Sequence, residues 1–357
     1  MNPTYLSPAR TVVLAACGLA LAVPAAADRG IAYVSNQKGN VATISLETFE
    51  LGAEIDVGGG SPRGIGVTAD GRLLVVAARD SGDLAVVDRA SGRVVRRIAI
   101  GKNPEFVRVR GSKAFVSFEP ASESGPPPKP GSPEAEALRR QREADKAEPA
   151  RIAVVDLAVG RKTAEIVGGM ETEGIEFSAD GRAIVVTNEA DENLSVHDIA
   201  SGKLLQKIDT KPYGHRPRGI KLAPDGRHYV VTLEHSNKLI VLDAKFKVVK
   251  IVATGDTPYG TAFSRDGARL YVALAKGKAL QVFDGRSYER LAEYPLGDRC
   301  WHFTFTPDDS HVLAACGRSN EVVVIDAEGR LVKRLADQKM PWGVVTYPKS
   351  VGSLDAP

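Results

Sequence analysis

The sequence predicts an all-β fold: a seven-bladed β-propeller whose blades are four-stranded antiparallel sheets. The main observation is a repeat that returns at intervals of roughly 41 to 46 residues, with its clearest copies beginning at Pro62, Pro217 and Pro258. Each copy holds four short runs rich in Val, Ile, Leu and Tyr, separated by turn-forming residues. These runs show no helical period, and a repeated unit of four strands is typical of a propeller blade.

Turn chemistry then defines the blades in order. Asp-Gly dipeptides at 70–71 and 225–226 follow the first strand and supply the positive φ that a tight hairpin needs. The proline at the start of each clear copy cannot donate to a sheet ladder, so it suits a blade boundary. Less regular copies begin at Pro104, Glu171 and Cys300, which makes six complete blades.

Both ends of the chain contribute to a seventh blade. Residues 31–57 have the pattern of second, third and fourth strands, and residues 341–347 have the pattern of a first strand. Pairing the two segments closes the ring and removes the sheet edges that could recruit other chains. We therefore expect residues 28–357 to form a single propeller domain.

Residues 1–27 have the pattern of a secretory signal peptide. Arg10 provides the positive start, residues 11–23 an apolar stretch, and residues 24–27 a small-residue cleavage site. We expect cleavage after residue 27 and a periplasmic protein, since the apolar stretch is too short to span a membrane. Cys17 also lies in a lipobox-like sequence, so lipidation there is the alternative.

The charge balance argues against two classes of partner. The chain of 357 residues has a formal net charge of +3, and loss of the single Arg10 with the leader leaves +2. So small an excess of positive charge does not indicate that the protein binds nucleic acid or an anionic membrane surface. We expect a monomer without an integral membrane segment that binds a periplasmic protein partner or a small-molecule ligand.

The second blade contains an insert at residues 119–149. Its first half is a Pro/Ser/Gly tract that we expect to be extended or disordered. Its second half predicts a short helix, with Ser132 as N-cap, Pro133 at the first helical position and acidic residues in the first turn. We interpret this arm as a solvated decoration, and a docking arm for a partner is the alternative.

The candidate binding site follows from aligning the blades, because the loop that enters each blade lies on one face, around the mouth of the central channel. The residue just after the boundary position is, in blade order, Arg63, Glu105, Glu173, Arg218, Tyr259, Trp301 and Trp342. One arc of the mouth is thus charged and the other is aromatic. We interpret the mouth as a receptor for a ligand that is apolar and flat on one side and anionic on the other. The alternative is that the Arg and Glu side chains pair with each other while the aromatic rings plug the channel.

Histidine is sparse near this mouth. Cys300-Trp301-His302 replaces the usual Pro-x-Gly of the sixth blade and places an imidazole on a channel wall that is otherwise mostly glycine. His302 is either a site residue or a hydrogen-bonded structural residue. His215 and His235, in loops of the fourth blade, could join it only across the mouth. The sequence has no HxxxH, Cys/His cluster or CxxCH, so it indicates no structural metal, c-type haem or other cofactor.

A further hypothesis is a site for a hard cation, which prefers oxygen ligands. The residues that could supply them end second strands on the same face or lie at the mouth: Asn36, Asn188, Glu189, Glu234 and Glu173.

Two cysteines remain after removal of the leader, Cys300 and Cys316. Export would place them in an oxidising compartment, and both lie at the same end of the first two strands of one blade, so we expect a disulfide. The alternative is two small buried residues, because the hairpin register offsets them and disulfide geometry is demanding.

These repeats resemble a known family. The segments AFSRDGARLYVAL, LAPDGRHYVVTL and IAYVSNQKGNVATISL resemble the YVTN-type β-propellers, over essentially the whole mature chain. CWHFTFTPDDSHVLAACGRSNEVVVID followed by MPWGVV resembles the last blades of exported β-propeller proteins associated with PQQ-dependent catabolism. That second resemblance implies a periplasmic accessory protein that works near quinoprotein alcohol dehydrogenases and their cytochrome c acceptors. Cys300 and the insert at 119–149 depart from that group.

Three functions remain open. A periplasmic binding or scaffold protein is favoured over an enzyme, because no nucleophile–base pair or metal cluster can be assembled from the mouth residues. A hydrolase of the propeller lactonase type would use Glu105 or Glu173 as general base. A haem-handling propeller related to the d1-type haem domains would use His302 or His215 as axial ligand.

Overall fold

The computed structural model describes residues 1, 29–120, 132–144 and 148–355, and the predicted seven-bladed β-propeller is confirmed. The predicted signal peptide lies outside the described residues apart from Met1, as do residues 121–131 of the insert. In the described part of the chain, six sheets are four-stranded meanders and a seventh joins strands from both ends of the sequence.

The strands of the first three blades follow the order of the chain. The N-terminal pair is β1 (Ile31–Asn36) and β2 (Val41–Ser45). Blade 1 contains β3 (Pro62–Val67), β4 (Leu73–Ala78), β5 (Asp83–Asp88) and β6 (Arg93–Ala99). Blade 2 contains β7 (Pro104–Arg110), β8 (Lys113–Phe118), β9 (Arg151–Asp156) and β10 (Arg161–Val167). Blade 3 contains β11 (Thr172–Phe177), β12 (Ala183–Asn188), β13 (Asn193–Asp198) and β14 (Leu204–Asp209).

The remaining blades repeat this arrangement. Blade 4 contains β15 (Pro217–Leu222), β16 (His228–Leu233), β17 (Lys238–Asp243) and β18 (Val248–Ala253), with a 3-10 turn at Glu234–Ser236. Blade 5 contains β19 (Pro258–Phe263), β20 (Arg269–Leu274), β21 (Ala279–Asp284) and β22 (Arg290–Pro295). Blade 6 contains β23 (Cys300–Phe305), β24 (His311–Cys316), β25 (Glu321–Asp326) and β26 (Leu331–Leu335). The last strand is β27 (Pro341–Tyr347).

Burial decreases from the channel outwards, and this explains the composition of the strands. The second strand of blade 1, LLVVAA, is buried over almost its whole length. A strand that packs against neighbours on both faces reads as a continuous apolar run rather than an alternating one. The fourth strand of the same blade, RVVRRIA, lies at the circumference and is largely exposed. The apolar runs therefore mark the inner strands, which form the core between blades.

Ring closure depends on β27, which pairs with β1 antiparallel along its length, while β2 continues the sheet outwards. This seventh blade is the one that the sequence predicts from residues 31–57 and 341–347. Its fourth strand is less regular than predicted, because Leu51 and Ile55 make only isolated bridges to β2. Gly52 lies between them, and glycine weakens the interior of a strand.

The described part of the insert contains α1 (Pro133–Ala144), the helix that the sequence predicts. The Ser132 hydroxyl accepts a hydrogen bond from the main-chain N–H of Ala135 at 3.2 Å, and Glu134 and Glu136 lie in the first turn. No helix in the described ranges is long and apolar enough to cross a membrane.

A disulfide joins Cys300 in β23 to Cys316 in β24. The expected offset between the two cysteines is wrong: a bulge between Cys300 and His302 shifts the register and places Cys300 directly opposite Cys316. Their Cα atoms lie 3.7 Å apart. The bond therefore ties the first two strands of blade 6 together immediately before the Trp301-His302 pair.

Deleting residues 341–357 is expected to lower the melting temperature by roughly 10 °C or more, because it removes β27 and opens the ring. Thermal unfolding followed by circular dichroism measures this. The matched control removes the surface helix, residues 133–144, and is expected to change the melting temperature little. Equal melting of the 341–357 deletion and the wild type would contradict the shared seventh blade.

Protein isolated in the absence of reductant is expected to show no free thiol at Cys300 or Cys316 when it is denatured, and both thiols after reduction. Thiol titration with peptide mapping measures this. Replacing both residues by alanine is expected to lower the free energy of unfolding by about 3 kcal/mol, since the bond closes a loop with a sequence separation of 16. Two reactive thiols in the unreduced protein would return the pair to buried free cysteines.

Candidate functional site

The seven candidate mouth residues all occupy the second position of the innermost strands, at the same end of the channel. The residue just before each of these strands has a left-handed backbone, which turns the chain into the blade. Those left-handed residues are Ser61, Asn103, Glu171, Arg216, Thr257, Arg299 and Met340, with φ between 50° and 62°. Because the same turn recurs in every blade, the second side chain of each innermost strand comes to the same level of the channel.

The charged arc forms ion pairs within itself. Arg63 Nη1 contacts Glu105 Oε2, and Arg218 Nη2 lies 3.2 Å from Glu173 Oε1. Arg79, which follows the second strand of blade 1, adds its Nε at 3.6 Å from Glu105 Oε1. The pairing of Arg with Glu that the sequence leaves as an alternative is therefore present at the mouth.

A second layer of charges continues this network beyond the mouth. Arg218 also contacts Glu189, which is fully buried and is shared with Arg216. Glu234 lies 3.5 Å from Arg218 Nη1, and its other oxygen lies 3.5 Å from Arg299 Nη1. Burial by itself would lower the pKa of Arg218, but the surrounding carboxylates outweigh it and raise that pKa. The arginine therefore stays charged and fixed.

In contrast to Arg218, Arg63 has a lowered pKa. Burial is the largest cause that lowers its pKa, to about 10, with Glu173 opposing and the nearby Arg79 and Arg218 adding to the decrease. Its Nε donates to Gln37 Oε1 at 3.1 Å, and its guanidinium carbon lies 5.5 Å from the centre of the Trp342 ring. Arg63 therefore joins the charged arc to the aromatic arc.

The aromatic arc fills the channel. The Trp342 and Tyr259 side chains are buried, and the Arg218 guanidinium carbon lies 3.9 Å from the centre of the Tyr259 ring. Trp301 is nearly buried, and its ring packs where a side chain on Gly317 would otherwise stand. The aromatic rings therefore plug the channel at this level, as in the alternative interpretation of the sequence.

His302 lies at the centre of this aromatic level. Its ring centre is 4.3 Å from that of Trp342, 5.5 Å from that of Tyr259 and 5.8 Å from that of Phe106. Burial is the largest cause that lowers the pKa of His302 well below its ordinary value, and Arg218 and Arg63 lower it further. The imidazole is therefore neutral at pH 7.

The close approach of the next blade explains why most blades have glycine at the position equivalent to His302. Five blades carry glycine at the third position of the innermost strand. At Gly219 a Cβ would lie 2.2 Å from the carbonyl oxygen of Tyr259 in the next blade, and at Gly64 it would lie 2.4 Å from that of Glu105. At this third strand position only Phe106 and His302 carry a side chain, and their ring centres lie 5.8 Å apart.

The segment that follows β27 also enters the channel, which the sequence did not predict. After β27 the chain turns inwards, and Leu354 packs in the same buried cluster as Phe106 and Trp342. The Lys221 Nζ donates to the carbonyl oxygens of Gly352 and Asp355. No local pattern in this short tail signals burial, because its partners are distant in the sequence.

A buried polar layer surrounds this tail. Arg108 Nη2 lies 2.6 Å from Glu176 Oε2, and Arg108 Nη1 donates to the Leu354 carbonyl. Burial lowers the pKa of Lys221 to about 7, with the nearby Arg108 as the next cause. The lower channel is therefore closed by the protein's own C-terminal segment.

The other candidate ligands do not form a metal site. His215 Nδ1 lies 2.7 Å from Glu192 Oε1, with 46% of its side chain exposed, while burial lowers the pKa of His235 to about 4. Oxygen atoms of Glu189 and Glu234 contact arginines. The described residues contain no group of three or more His, Cys, Asp or Glu side chains that could hold a metal ion.

Comparison with known families supports the propeller architecture. The family profile of the YNCE-like beta-propeller matches residues 4–112, and that of the Cytochrome D1 heme domain matches residues 147–256. Each profile spans less than half of the chain. The chain is a β-propeller protein. No curated protein matches it significantly.

Solved structures share the fold of this β-propeller at low sequence identity. The periplasmic gluconolactonase PpgL of Pseudomonas aeruginosa is 16% identical, with a TM-score of 0.69, covering 89% of this chain and 98% of its own. Hydrazine synthase of Kuenenia stuttgartiensis is 21% identical, with a TM-score of 0.68 and coverages of 85% and 94%. The dihydro-heme d1 dehydrogenase NirN is 18% identical, with a TM-score of 0.62 and coverages of 90% and 76%. At these identities the likeness establishes the fold.

The stability of the protein is expected to rise between about pH 7 and pH 10 through Lys221. Its pKa is about 7 in the folded protein, against 10.5 in the reference state, so in this window the unfolded chain binds more protons. Urea unfolding at pH 7 and pH 9.5 measures the effect. The rise should be smaller in Lys221→Met and unchanged in Lys245→Met, which removes an exposed lysine. An equal change in the free energy of unfolding between pH 7 and pH 9.5 in all three proteins would contradict the role of Lys221.

Proposed function

We propose that this protein is an exported binding or scaffold protein that recognises a ligand or a redox partner at the channel mouth. The observation that carries the proposal is the fixed arrangement of the mouth: arginines held by ion pairs on one arc and buried rings on the other, joined by Arg63 and Arg218. Side chains already held in place lose little entropy on binding, which favours recognition. Tryptophan, tyrosine and arginine are also the types that dominate binding energy at interfaces.

The resemblance of the Trp301-His302 pair and of the 341–347 strand to PQQ-associated propellers supports a specific setting. In this setting the protein is periplasmic, its first 27 residues are removed on export, and it serves a quinoprotein dehydrogenase and its cytochrome c acceptor. The fold it shares with PpgL, a periplasmic gluconolactonase by its name, is compatible with that compartment.

Hydrolysis of the lactonase type has less support. Its candidate general bases, Glu105 and Glu173, both contact guanidinium groups. Both oxygens of Glu105 and Oε1 of Glu173 lie against arginines, which makes these carboxylates less available as general bases.

A haem-handling role is the second candidate, favoured by the Cytochrome D1 heme domain match over residues 147–256. His302 lies among aromatic rings with the C-terminal segment beside it, so it suits an axial ligand poorly. His215, at the surface of the same face, is the residue that could reach a bound haem. A Soret band in the protein purified from the periplasm, lost in His215→Ala, would favour this candidate over the first.

Replacing Trp301 or Arg218 by alanine is expected to weaken binding by about 2 kcal/mol or more, roughly 30-fold in Kd. The probes are the quinoprotein alcohol dehydrogenase of the same periplasm and its cytochrome c, and calorimetry measures the affinity. Circular dichroism must first show that each variant is folded, because Arg218 pairs with the buried Glu189.

The matched control is Arg290→Ala, which removes an exposed arginine from an outer strand and should bind like the wild type. Full-strength binding by both mouth variants would place the site elsewhere, and a loss on trimming residues 119–149 would identify the insert as the docking arm. If neither probe binds the wild type, the quinoprotein setting is wrong.

A further inference from the structure

The residue that follows each second strand belongs to a second ring of positions around the channel mouth. In the charged arc these side chains reach the candidate mouth residues, as Glu189 does with Arg218. Blade 6 differs from the others, because Gly317 leaves this position without a side chain. In blade order the seven residues are Arg79, Glu119, Glu189, Glu234, Ala275, Gly317 and Gln37.

The Trp301 indole occupies the space that Gly317 leaves. A Cβ on Gly317 would lie 2.5 Å from Cη2 and 2.7 Å from Cε3 of Trp301, and closer still to Cζ3. Carbon atoms pack best at about 3.5–4.0 Å, so any side chain at this position would displace the indole. Gly317 is not one of the glycines with a positive φ. The room for the indole, rather than the backbone conformation, therefore requires glycine here.

The disulfide fixes the main chain on both sides of this contact. Cys300 directly precedes Trp301, and Cys316 directly precedes Gly317. The Gly317 N–H also donates to the Arg299 carbonyl at 3.0 Å. The backbone that carries the indole is thereby held against the backbone on which the indole packs. Five other blades have proline where blade 6 has its first cysteine, so this covalent link is particular to the blade with the Trp-His pair.

Trp301 is the most exposed of the three aromatic side chains at the mouth. It is 9% exposed, against 2% for Tyr259 and 1% for Trp342. A ligand or partner that packs on the aromatic arc therefore covers Trp301 first. An indole that is already held in place loses little freedom when it is covered, whereas a loosely held one loses more and binds more weakly.

We propose that Gly317 and the Cys300–Cys316 disulfide are positioning residues of the mouth, which hold the Trp301 indole in the orientation that the ligand or partner covers. All three residues are buried, so they act through Trp301 rather than by contact with the ligand. This inference rests on the proposed binding function and identifies what fixes the aromatic contact of that site.

The first experiment is Gly317→Ala, which adds a single methyl group where the indole lies. We expect this variant to bind the quinoprotein dehydrogenase or the cytochrome about tenfold more weakly in calorimetry. The matched control is Gly59→Ala, in the loop that enters blade 1, where the added methyl group first meets the ends of the Ser81 and Arg97 side chains. These ends can move, so the control is expected to bind like the wild type.

A spectroscopic measurement follows Trp301 directly. The sequence has two tryptophans, so in a Trp342→Phe background the tryptophan fluorescence comes from Trp301 alone. Adding Gly317→Ala to that background is expected to shift the emission to the red and to increase quenching by acrylamide, because the displaced indole is more exposed. Adding Gly59→Ala is expected to change neither.

The second experiment removes the disulfide. Cys300→Pro with Cys316→Ala recreates the proline–alanine pair that blade 1 carries at residues 62 and 78. The two pairs face each other in the same way across their strands, so blade 6 should fold without the bond. We expect about fivefold weaker binding of the same probes, and stronger quenching of Trp301. Circular dichroism shows whether each variant is folded.

The outcomes separate this inference from the proposed function. Wild-type emission and quenching of Trp301 in both variants would overturn the positioning role. A displaced Trp301 together with wild-type affinity would also overturn it, because the orientation of the indole would then not matter to the partner. If Gly317→Ala does not fold, the cysteine pair carries the test. If neither probe binds the wild type, the quinoprotein setting is wrong, and the fluorescence of the variants still tests the positioning of Trp301.

Discussion

The propeller ring is closed by the antiparallel pairing of β27 with β1. The two strands are separated by almost the whole sequence, and their pairing brings the innermost strand of the last blade beside that of the first. Only in a closed ring do seven innermost strands face one axis, and only then do their second residues meet at one mouth. Closure also leaves no innermost sheet edge open to other chains.

Closure also places charge inside the protein, and the channel shows how that charge is accommodated. A carboxylate or a guanidinium removed from water is costly unless it is paired. The upper level pairs Arg63 with Glu105 and Arg218 with Glu173 and Glu189, and the lower level pairs Arg108 with Glu176. The aromatic level around His302 separates the two. The C-terminal segment that follows β27 completes the lower level, so the same part of the chain closes the ring and fills the channel.

For the proposed binding function, the consequence is that the mouth is rigid. Side chains that hold each other by ion pairs and ring contacts need little reorganisation to meet a ligand, while carboxylates committed to arginines are poor general bases. Some buried polar atoms of this network, among them Trp342 Nε1, Arg216 Nε and Arg218 Nε, have no hydrogen-bond partner among the described residues.

The repeat, the seven blades, the shared seventh blade, the helix after Ser132 and the common level of the mouth residues could all be predicted from the amino-acid sequence. This prediction was possible because strand alternation, turn chemistry and capping are local, and because a repeat imposes the same geometry on every copy. The three-dimensional structure was needed to show which arginine meets which glutamate, that a bulge places Cys300 opposite Cys316, and that the segment containing Gly352 and Asp355 contacts Lys221 in the channel. These contacts join residues that are far apart in the chain, so no local sequence pattern encodes them. Their energy comes from burial and charge pairing, which exist only once the ring is closed.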